Sequence, residues 1–281
     1  MNALEIRGLT KTYPSFQLDH LDLTLPSGCI MGLVGENGAG KSTTIKLILE
    51  MIRKESGTIR ILGREDGKDI RLTKDELGVV LDDVGIPEWL NTAQVGKIMA
   101  LTFRNWDRNT YEDLLKKLAL PEKKPFKSFS RGMKMKLGIA IALSHHAKLL
   151  ILDEATSGLD PVVRDEVVEM LYEFTREEDH SVLISSHIVS DLEKLCDYIA
   201  FLHQGRLLVC EEEDVLLERY GIFHGSREEL AELGPKAVLH KKESEYGTQA
   251  IVERERGPRG LKLSPISIED LFLAMIKEAG K

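Results

Sequence analysis

The amino-acid sequence predicts an α/β fold built on a parallel sheet, and three stretches indicate it. Each is a short apolar run of the kind found in strands that are buried on both faces: Cys29–Val34, Leu149–Leu152 and Ser181–Ser185. A glycine-rich loop and a helical pattern follow the first run, while Asp153 and Glu154 follow the second. Carboxylates at the carboxyl end of such a strand lie where a parallel sheet places its ligand chemistry.

The composition limits the classes of protein to which this chain can belong. Its 281 residues are 42% hydrophobic and carry a net charge of -8, so we expect no nucleic-acid partner. The three cysteines, Cys29, Cys196 and Cys210, lack a paired spacing and indicate reduced, buried thiols. We find no signal pattern and no apolar run long enough to span a bilayer. Any membrane role is therefore expected to depend on a partner.

The first strands form a different layer from the central sheet. Apolar and polar residues alternate over residues 3–25, which predicts an antiparallel β layer ahead of the glycine-rich loop. Tyr13 in this layer is a candidate surface for stacking of a base. From the pattern alone, an ordinary half-buried strand tyrosine explains it slightly better.

The loop 35–42 reads Gly-Glu-Asn-Gly-Ala-Gly-Lys-Ser and matches the GxxxxGK[ST] phosphate-binding pattern. Its glycines permit positive φ and let backbone N–H groups point at phosphate oxygens, and the next helix adds its positive end. Lys41 is expected to neutralise the β and γ oxygens, and the Ser42 hydroxyl to ligate Mg²⁺. The candidate nucleotide contacts here are Gly35, Asn37, Gly38, Ala39, Gly40, Lys41, Ser42 and Thr43.

A helical period replaces the strand pattern in the middle of the chain. Apolar residues between Pro87 and Leu120 recur at helical spacing, and a further helical pattern follows Ser130. We therefore predict an α-helical subdomain over about 87–146. The short strand before it, 77–81, ends in Asp82.

The acidic pair after the strand 149–152 is a candidate catalytic centre. Asp153 is expected to hold Mg²⁺, usually through water, and Glu154 to orient and deprotonate an attacking water. An acidic pair that merely ends the strand and caps the next helix is the alternative, and the upstream phosphate loop favours catalysis. His187, which follows the strand 181–185, would by itself more often be structural than catalytic.

The character of the chain changes after residue 212. Residues 213–281 begin with an acidic run, continue with strand and turn signals, and end in a helix for which Ser267 is the expected N-cap. We predict a main domain over 1–212 and a small α+β accessory subdomain over 213–281.

Taken in order, these stretches resemble the nucleotide-binding subunit of an ABC transporter over nearly all of residues 3–210. The most specific part is Ser130–Met133, upstream of the strand that ends in Asp153, together with Ser157–Asp160 and His187. The resemblance implies a P-loop NTPase (RecA-like) core with an antiparallel β subdomain, an α-helical subdomain and the accessory segment. It also implies ATP and Mg²⁺ as cofactors.

The resemblance further implies roles for single residues and for partners. Tyr13 would stack on adenine, His187 would contact the γ-phosphate, and Asp160 would belong to a loop that crosses between subunits. Ser130 and Gly132 would close over an ATP held by a second nucleotide-binding subunit, identical or paralogous. A membrane permease on a separate chain would hold the assembly at the cytoplasmic face of the cell membrane.

The chain departs from the family at two places. The family usually reads Ser-Gly-Gly-Gln where this chain has Arg131 in place of the first glycine and Met133 in place of the glutamine. Asp82 stands where glutamine is common, and its shorter carboxylate remains a candidate Mg²⁺ contact.

Both departures and the C-terminal segment resemble bacterial exporters of bacteriocins, lantibiotics and cytolytic peptides such as phenol-soluble modulins. The predicted function is therefore that of the ATP-hydrolysing subunit of a peptide exporter. A soluble ATPase of the same family acting on ribosomes or DNA is the alternative, but the chain has a single phosphate loop and no sustained heptads between residues 35 and 130. A GTPase is disfavoured because the chain lacks an Asn-Lys-x-Asp sequence. The transported substrate does not follow from these residues.

Overall fold

The computed structural model describes residues 1–65, 70–81, 85–234, 236–244, 247–258 and 260–280. The predicted α/β fold is confirmed, with three separate sheets and helices packed around them. Asp82, one of the predicted Mg²⁺ contacts, lies outside the described residues.

The elements of the described chain are numbered in sequence order. The strands are β1 (Asn2–Tyr13), β2 (Phe16–Pro26), β3 (Ile30–Gly35), β4 (Ser56–Ile61), β5 (Arg64–Glu65), β6 (Leu77–Val80), β7 (Leu149–Asp153), β8 (Ser181–Ser186), β9 (Tyr198–His203), β10 (Arg206–Glu212), β11 (Tyr220–Gly225), β12 (Val238–Ser244) and β13 (Gly247–Glu253). The helices are α1 (Lys41–Ile48), α2 (Ile70–Asp75), α3 (Thr92–Thr102), α4 (Arg108–Lys117), α5 (Arg131–Ser144), α6 (Pro161–Phe174), α7 (Glu213–Arg219), α8 (Arg227–Glu232) and α9 (Ile268–Ala279). Short 3₁₀ turns cover Phe126–Ser128, Val189–Asp191 and Arg254–Arg256.

The central sheet has the strand order β10-β9-β3-β8-β7-β6. Its neighbours pair in parallel from β9 to β6, and β10 closes an antiparallel hairpin with β9. Every residue of β3, β7 and β8 is buried, which explains why apolar residues dominate their sequences. Because these strands are parallel neighbours, the segments that follow them meet at one edge of the sheet.

The two faces of the central sheet belong to two hydrophobic cores. On one face, Met31 and Leu33 pack with α1 and with the antiparallel sheet, whose order is β2-β1-β4-β5. On the other face, Ile30 and Val34 pack with α5, α6 and the helical segment. Side chains along β3 therefore alternate between two faces, one packed against the antiparallel β layer and the other against helices.

Helices α3, α4 and α5 lie within the predicted helical region. A capping box begins α3, in which the Asn91 side chain accepts from Gln94 N and the Gln94 side chain accepts from Asn91 N. The buried Tyr111 of α4 donates its hydroxyl proton to Thr92 O at 2.9 Å. These contacts tie α3 and α4 into one unit that packs on the core through α5.

The C-terminal segment is attached to the main core at its last helix. Its sheet, ordered β11-β13-β12, has a small core of its own that includes Phe223 and Val252. Helix α9 begins at the expected cap, where Ser267 Oγ accepts from Asp270 N at 3.0 Å. The Phe272 ring of α9 lies 5.0 Å from that of Phe201 in β9, so α9 belongs to the core of the central sheet. The proposed boundary at residue 212 stays a prediction.

None of the helices in the described part of the chain combines the length and the apolar character that crossing a bilayer requires.

Candidate nucleotide site

The edge at which β3, β7 and β8 end borders a cavity of about 650 Å³. The residues around it come from the glycine-rich loop and the start of α1, from the segments after β7 and β8, from the turn between β1 and β2, and from the first residue of α5. They are Ser15, Phe16, Glu36, Asn37, Gly38, Gly40, Lys41, Ser42, Thr43, Arg131, Glu154, Ser157 and His187. The structure therefore brings residues of the glycine-rich loop together with Glu154 and His187 around one cavity.

Glycine is required at particular positions of the loop. Gly38 and Gly40 have φ values of +85° and +114°, in the left-handed region that glycine tolerates. A Cβ atom at Gly40 would lie 2.8 Å from the Phe16 ring, and one at Gly35 would lie 2.5 Å from Leu202 O. The backbone is thus exposed at Gly38, as a phosphate cradle requires, whereas Gly35 and Gly40 are buried and closely packed.

Lys41, the first residue of α1, places its ammonium group at the centre of the site. Its side chain is 5% exposed, and Nζ donates to Gly35 O at 2.7 Å and to Glu36 O at 3.2 Å. The same nitrogen lies 3.3 Å from Glu154 Oε1. The ammonium therefore bridges the loop after β3 and the carboxylate after β7.

Glu154 lies between two partners. Its Oε2 lies 2.6 Å from His187 Nδ1, and its other oxygen is the one that pairs with Lys41. The Glu154 backbone has a φ of +53°, which is uncommon for a residue with a side chain, and its N–H donates to Ser185 Oγ at 3.1 Å. This strained and tethered backbone fixes the carboxylate where the three segments converge.

Asp153 is held by a residue that sequence reasoning missed. The carboxylate is 7% exposed, and its Oδ1 accepts from Ser185 Oγ at 2.5 Å. Asp153 and Ser185 are paired in register between β7 and β8. A serine within an apolar strand was the available signal. The Asp153 carboxylate and the Ser42 hydroxyl are oxygen donors of the kind that Mg²⁺ prefers, so the residues present fit this ion.

The aromatic residues near the loop are Tyr13 and Phe16. Tyr13 is 39% exposed at the end of β1, and its ring centroid lies 6.5 Å from that of Phe16. Phe16 itself lines the cavity, whereas Tyr13 is not among the described residues that line it. Sequence reasoning missed Phe16, although an aromatic residue close to Tyr13 was visible.

Three predicted residues lie away from this cavity. Ser130 caps α5, where its Oγ accepts from Met133 N at 3.2 Å, and Asp160 caps α6 by accepting from Val163 N at 3.1 Å. Gly132 is buried against Val163, since a Cβ atom there would lie 2.9 Å from Val163 Cγ1. None of the three is among the described residues that line the cavity.

Glu36 has a partner that no local pattern reveals. His203 Nδ1, at the end of β9, lies 2.5 Å from Glu36 Oε1, and the His203 side chain is 9% exposed. The two residues are distant in sequence and meet because β9 and β3 are parallel neighbours. The loop is therefore tied to a second strand of the central sheet.

Comparison with known proteins adds independent findings. Residues 18–157, which contain the loop and the pair Asp153 and Glu154, match the family model described as ABC transporter. The lantibiotic transport ATP-binding protein SrtF of Streptococcus pyogenes is 37% identical over 215 residues, which cover 75% of this chain and 91% of SrtF. The bacitracin transport ATP-binding protein BcrA of Bacillus licheniformis is 37% identical over 203 residues, 71% of this chain and 66% of BcrA. A solved ATP-binding subunit of an ABC transporter superposes with a TM-score of 0.70 at 27% identity, over 77% of this chain and 92% of that subunit.

Proposed function

Because this chain belongs to the ABC transporter family as an ATP-binding and ATP-hydrolysing subunit, we propose that it drives the export of an antimicrobial peptide through a separate membrane permease. The contact among Lys41, Glu154 and His187 carries the catalytic part of this proposal. The names of SrtF and BcrA, which concern transport of a lantibiotic and of bacitracin, support the choice of a peptide.

Glu154 is the proposed general base. It takes a proton from water as the oxygen of that water bonds to the γ-phosphorus, and the bond from phosphorus to the bridging oxygen of ADP breaks. His187 donates to the carboxylate at 2.6 Å or to a γ-phosphate oxygen, and so keeps the base aligned with the reacting group.

Lys41 is proposed to exchange partners. Its ammonium lies 3.3 Å from Glu154 Oε1, and the same group is the natural partner of β and γ oxygens. A phosphate bound by Lys41 competes with the carboxylate for this charge, so nucleotide binding frees Glu154 to accept a proton. The proposed contacts of the loop with phosphate are those of Gly35 and Asn37–Thr43.

Ser42 and Asp153 are the proposed Mg²⁺ contacts of the described chain. A Mg²⁺ ion held there supplies positive charge to the phosphate oxygens. Ser185 keeps the Asp153 carboxylate in place through the 2.5 Å hydrogen bond. Asp82 remains a candidate contact outside the described residues.

We propose that two nucleotide-binding subunits act together. Ser130 and Asp160 are exposed and lie outside the cavity of their own chain, which leaves them available to a second subunit. Gly132, buried beside Ser130, is proposed to take part through the same segment. Tyr13 is the proposed adenine surface, supported by its exposure and by its position beside Phe16. In this arrangement residues 1–212 form the nucleotide-binding unit, with 87–146 as its helical part, and 213–281 are accessory.

The permease is proposed to contact a groove between the core and the helical segment. This cavity, of about 620 Å³, lies between the end of α1, β6 and the ends of α3 and α5. Its apolar lining includes Met51, Val79 and Phe103, and the first two are 55% and 37% exposed. An exposed apolar groove on a chain that acts with a permease fits a segment of that partner. This contact would place the chain at the cytoplasmic membrane surface.

A pull-down of the full chain from its source cell in mild detergent tests this function, with mass spectrometry of the stoichiometric partners. We expect a polytopic membrane protein at comparable abundance. Ribosomal proteins, or the absence of any membrane partner, would overturn the transport role while leaving the ATPase role in place.

A further inference from the structure

Arg131 brings a positive charge to the beginning of a helix. It is the first residue of α5, Ser130 caps that helix, and the described first turn contains no acidic residue. The guanidinium therefore adds positive charge to the positive end of the helix dipole. Glycine, which is usual at this position in the family that the chain resembles, adds no charge to the helix end. The course of the Arg131 side chain decides where this charge acts.

The Arg131 side chain extends across the loop between β7 and α6. A Cβ atom at Gly158 would lie 3.1 Å from Arg131 Nη1 and 3.6 Å from Arg131 Cδ. Gly158 has a φ of +67°, so a residue with a side chain would be strained there as well as crowded. The loop thus leaves a path for the guanidinium where the side chain passes over Gly158.

Packing against α6 fixes the backbone at the start of α5, from which the Arg131 side chain extends. Gly132, next to Arg131, is buried against Val163 of α6, where a Cβ atom would come within 2.9 Å of Cγ1. Because α6 follows the same loop that the arginine crosses, the backbone of Arg131 and the loop are held relative to each other.

The path leads into the nucleotide cavity of the same chain. Arg131 lines that cavity with Gly38, Lys41, Glu154, Ser157 and His187. Its neighbours Ser130 and Gly132 are not among the described residues that do so. One residue of the segment therefore faces the chain's own site, while the residues on either side of it do not.

The charge of the cavity favours such a group. Lys41 is 3.3 Å from Glu154 Oε1 and also donates to two backbone carbonyls, and a second carboxylate, Glu36, belongs to the loop. A terminal phosphate carries charge that a single lysine matches incompletely. Guanidinium, which stays protonated and presents paired N–H donors, is suited to phosphate oxygens.

We propose that Arg131 binds the terminal phosphate of the ATP held by its own chain. This inference rests on the proposed function, since it assigns one more contact to the same ATP site. During hydrolysis Glu154 takes the proton of the attacking water, ADP leaves with the bridging oxygen, and Arg131 remains protonated while it stabilises the charge on the γ-phosphate oxygens. The Arg131 side chain also connects helix α5 to the loop at Gly158, over which it passes.

The test compares the affinities for ATP and ADP of single subunits. Full-length protein is diluted until sedimentation velocity gives a monomer, and Kd for each nucleotide with Mg²⁺ is measured by thermophoresis. We expect Arg131→Gly and Arg131→Gln to weaken ATP binding about tenfold and ADP binding less than twofold, because ADP lacks the terminal phosphate. Arg131→Lys should restore part of the difference. Lys127→Ala, which removes an exposed charge of the same segment outside the cavity, is the matched control and should change neither affinity.

Two results would overturn the inference. Unchanged ATP affinity of the monomeric variants, with a loss of turnover only at dimerising concentrations, would show that Arg131 serves the nucleotide of the second subunit. Equal weakening of ATP and ADP would show a structural effect. Failure of the unmodified chain to bind ATP would instead refute the proposed function itself, and the inference with it.

Discussion

At the scale of single residues, the site depends on one carboxylate with two partners. Glu154 accepts from His187 on one oxygen and pairs with Lys41 through the other. Removing its charge should abolish proton acceptance while preserving the shape of the site, since Gln has nearly the same size.

We expect Glu154→Gln to bind ATP, to lose turnover by about 10³-fold, and to accumulate as a nucleotide-bound dimer. Phosphate release measures turnover, and gel filtration in the presence of ATP measures the dimer. Glu169→Gln, at an exposed position on α6, is the control and should hydrolyse at the normal rate. A near-normal rate in Glu154→Gln would remove Glu154 from the role of base.

Ser185 is a positioning residue for the proposed metal site. Its hydroxyl donates to Asp153 Oδ1 and accepts from Glu154 N, so one side chain orients both acidic residues. We expect Ser185→Ala to raise the Mg²⁺ concentration for half-maximal ATPase activity about tenfold, as loss of such a supporting hydrogen bond does at other metal sites. Ser181→Ala, at the opposite end of β8, should leave the Mg²⁺ dependence unchanged. An identical Mg²⁺ titration for the two variants would contradict this role.

At the scale of elements, the contact between α5 and β6 contains a buried histidine. His145 stacks on Phe103 with 3.9 Å between ring centroids, and its nitrogens lie 2.9 Å from Ile141 O and 3.0 Å from Leu77 O. Burial lowers the pKa of His145 below its ordinary value of 6.5, against the opposing effects of those two carbonyls and of Asp75.

This lowered pKa predicts loss of stability in acid. As pH falls through 6.5 the unfolded chain takes up a proton at His145, whereas the folded chain takes it up only at lower pH, so the free energy of unfolding decreases. We expect His145→Gln to reduce this decrease between pH 7.5 and 5.5, measured by urea denaturation. His146→Asn changes an exposed histidine with a positive φ that Asn tolerates, and should retain the decrease. The same pH dependence in all three proteins would refute the argument.

The sequence predicts local features of this protein better than long-range ones. The glycine-rich loop and the strands that end in Asp153 and Ser186 are specified by contiguous residues, so the sequence predicts the fold and the centre of the site. Ser185 and His203 were missed because their partners Asp153 and Glu36 are set by strand order rather than by spacing along the chain. Phe16 was missed because its approach to Gly40 depends on how the antiparallel sheet packs on the loop. The path of Arg131 over Gly158 likewise depends on how α5 and α6 pack.

At the scale of the whole molecule, the groove proposed for the permease lies apart from the nucleotide cavity. Met51, 55% exposed, is therefore expected to contribute to partner binding without a role in hydrolysis. We expect Met51→Glu to reduce recovery of the membrane partner at least about tenfold in a pull-down, because a buried unpaired charge is costly, while basal ATPase activity is unchanged. Leu273→Glu, at an exposed apolar residue of α9 outside the groove, should leave recovery unchanged. Equal recovery with Met51→Glu would move the permease contact elsewhere.

Helix α9 also bears on how the molecule is made. Its twelve residues complete the core around Phe201, although the glycine-rich loop is translated far earlier. During synthesis on the ribosome, α9 must therefore leave the exit tunnel before it can cover the face of the central sheet that contains Phe201. The glycine-rich loop is therefore synthesised well before α9 completes the core of the central sheet. Strands β11, β12 and β13 emerge in the interval between them.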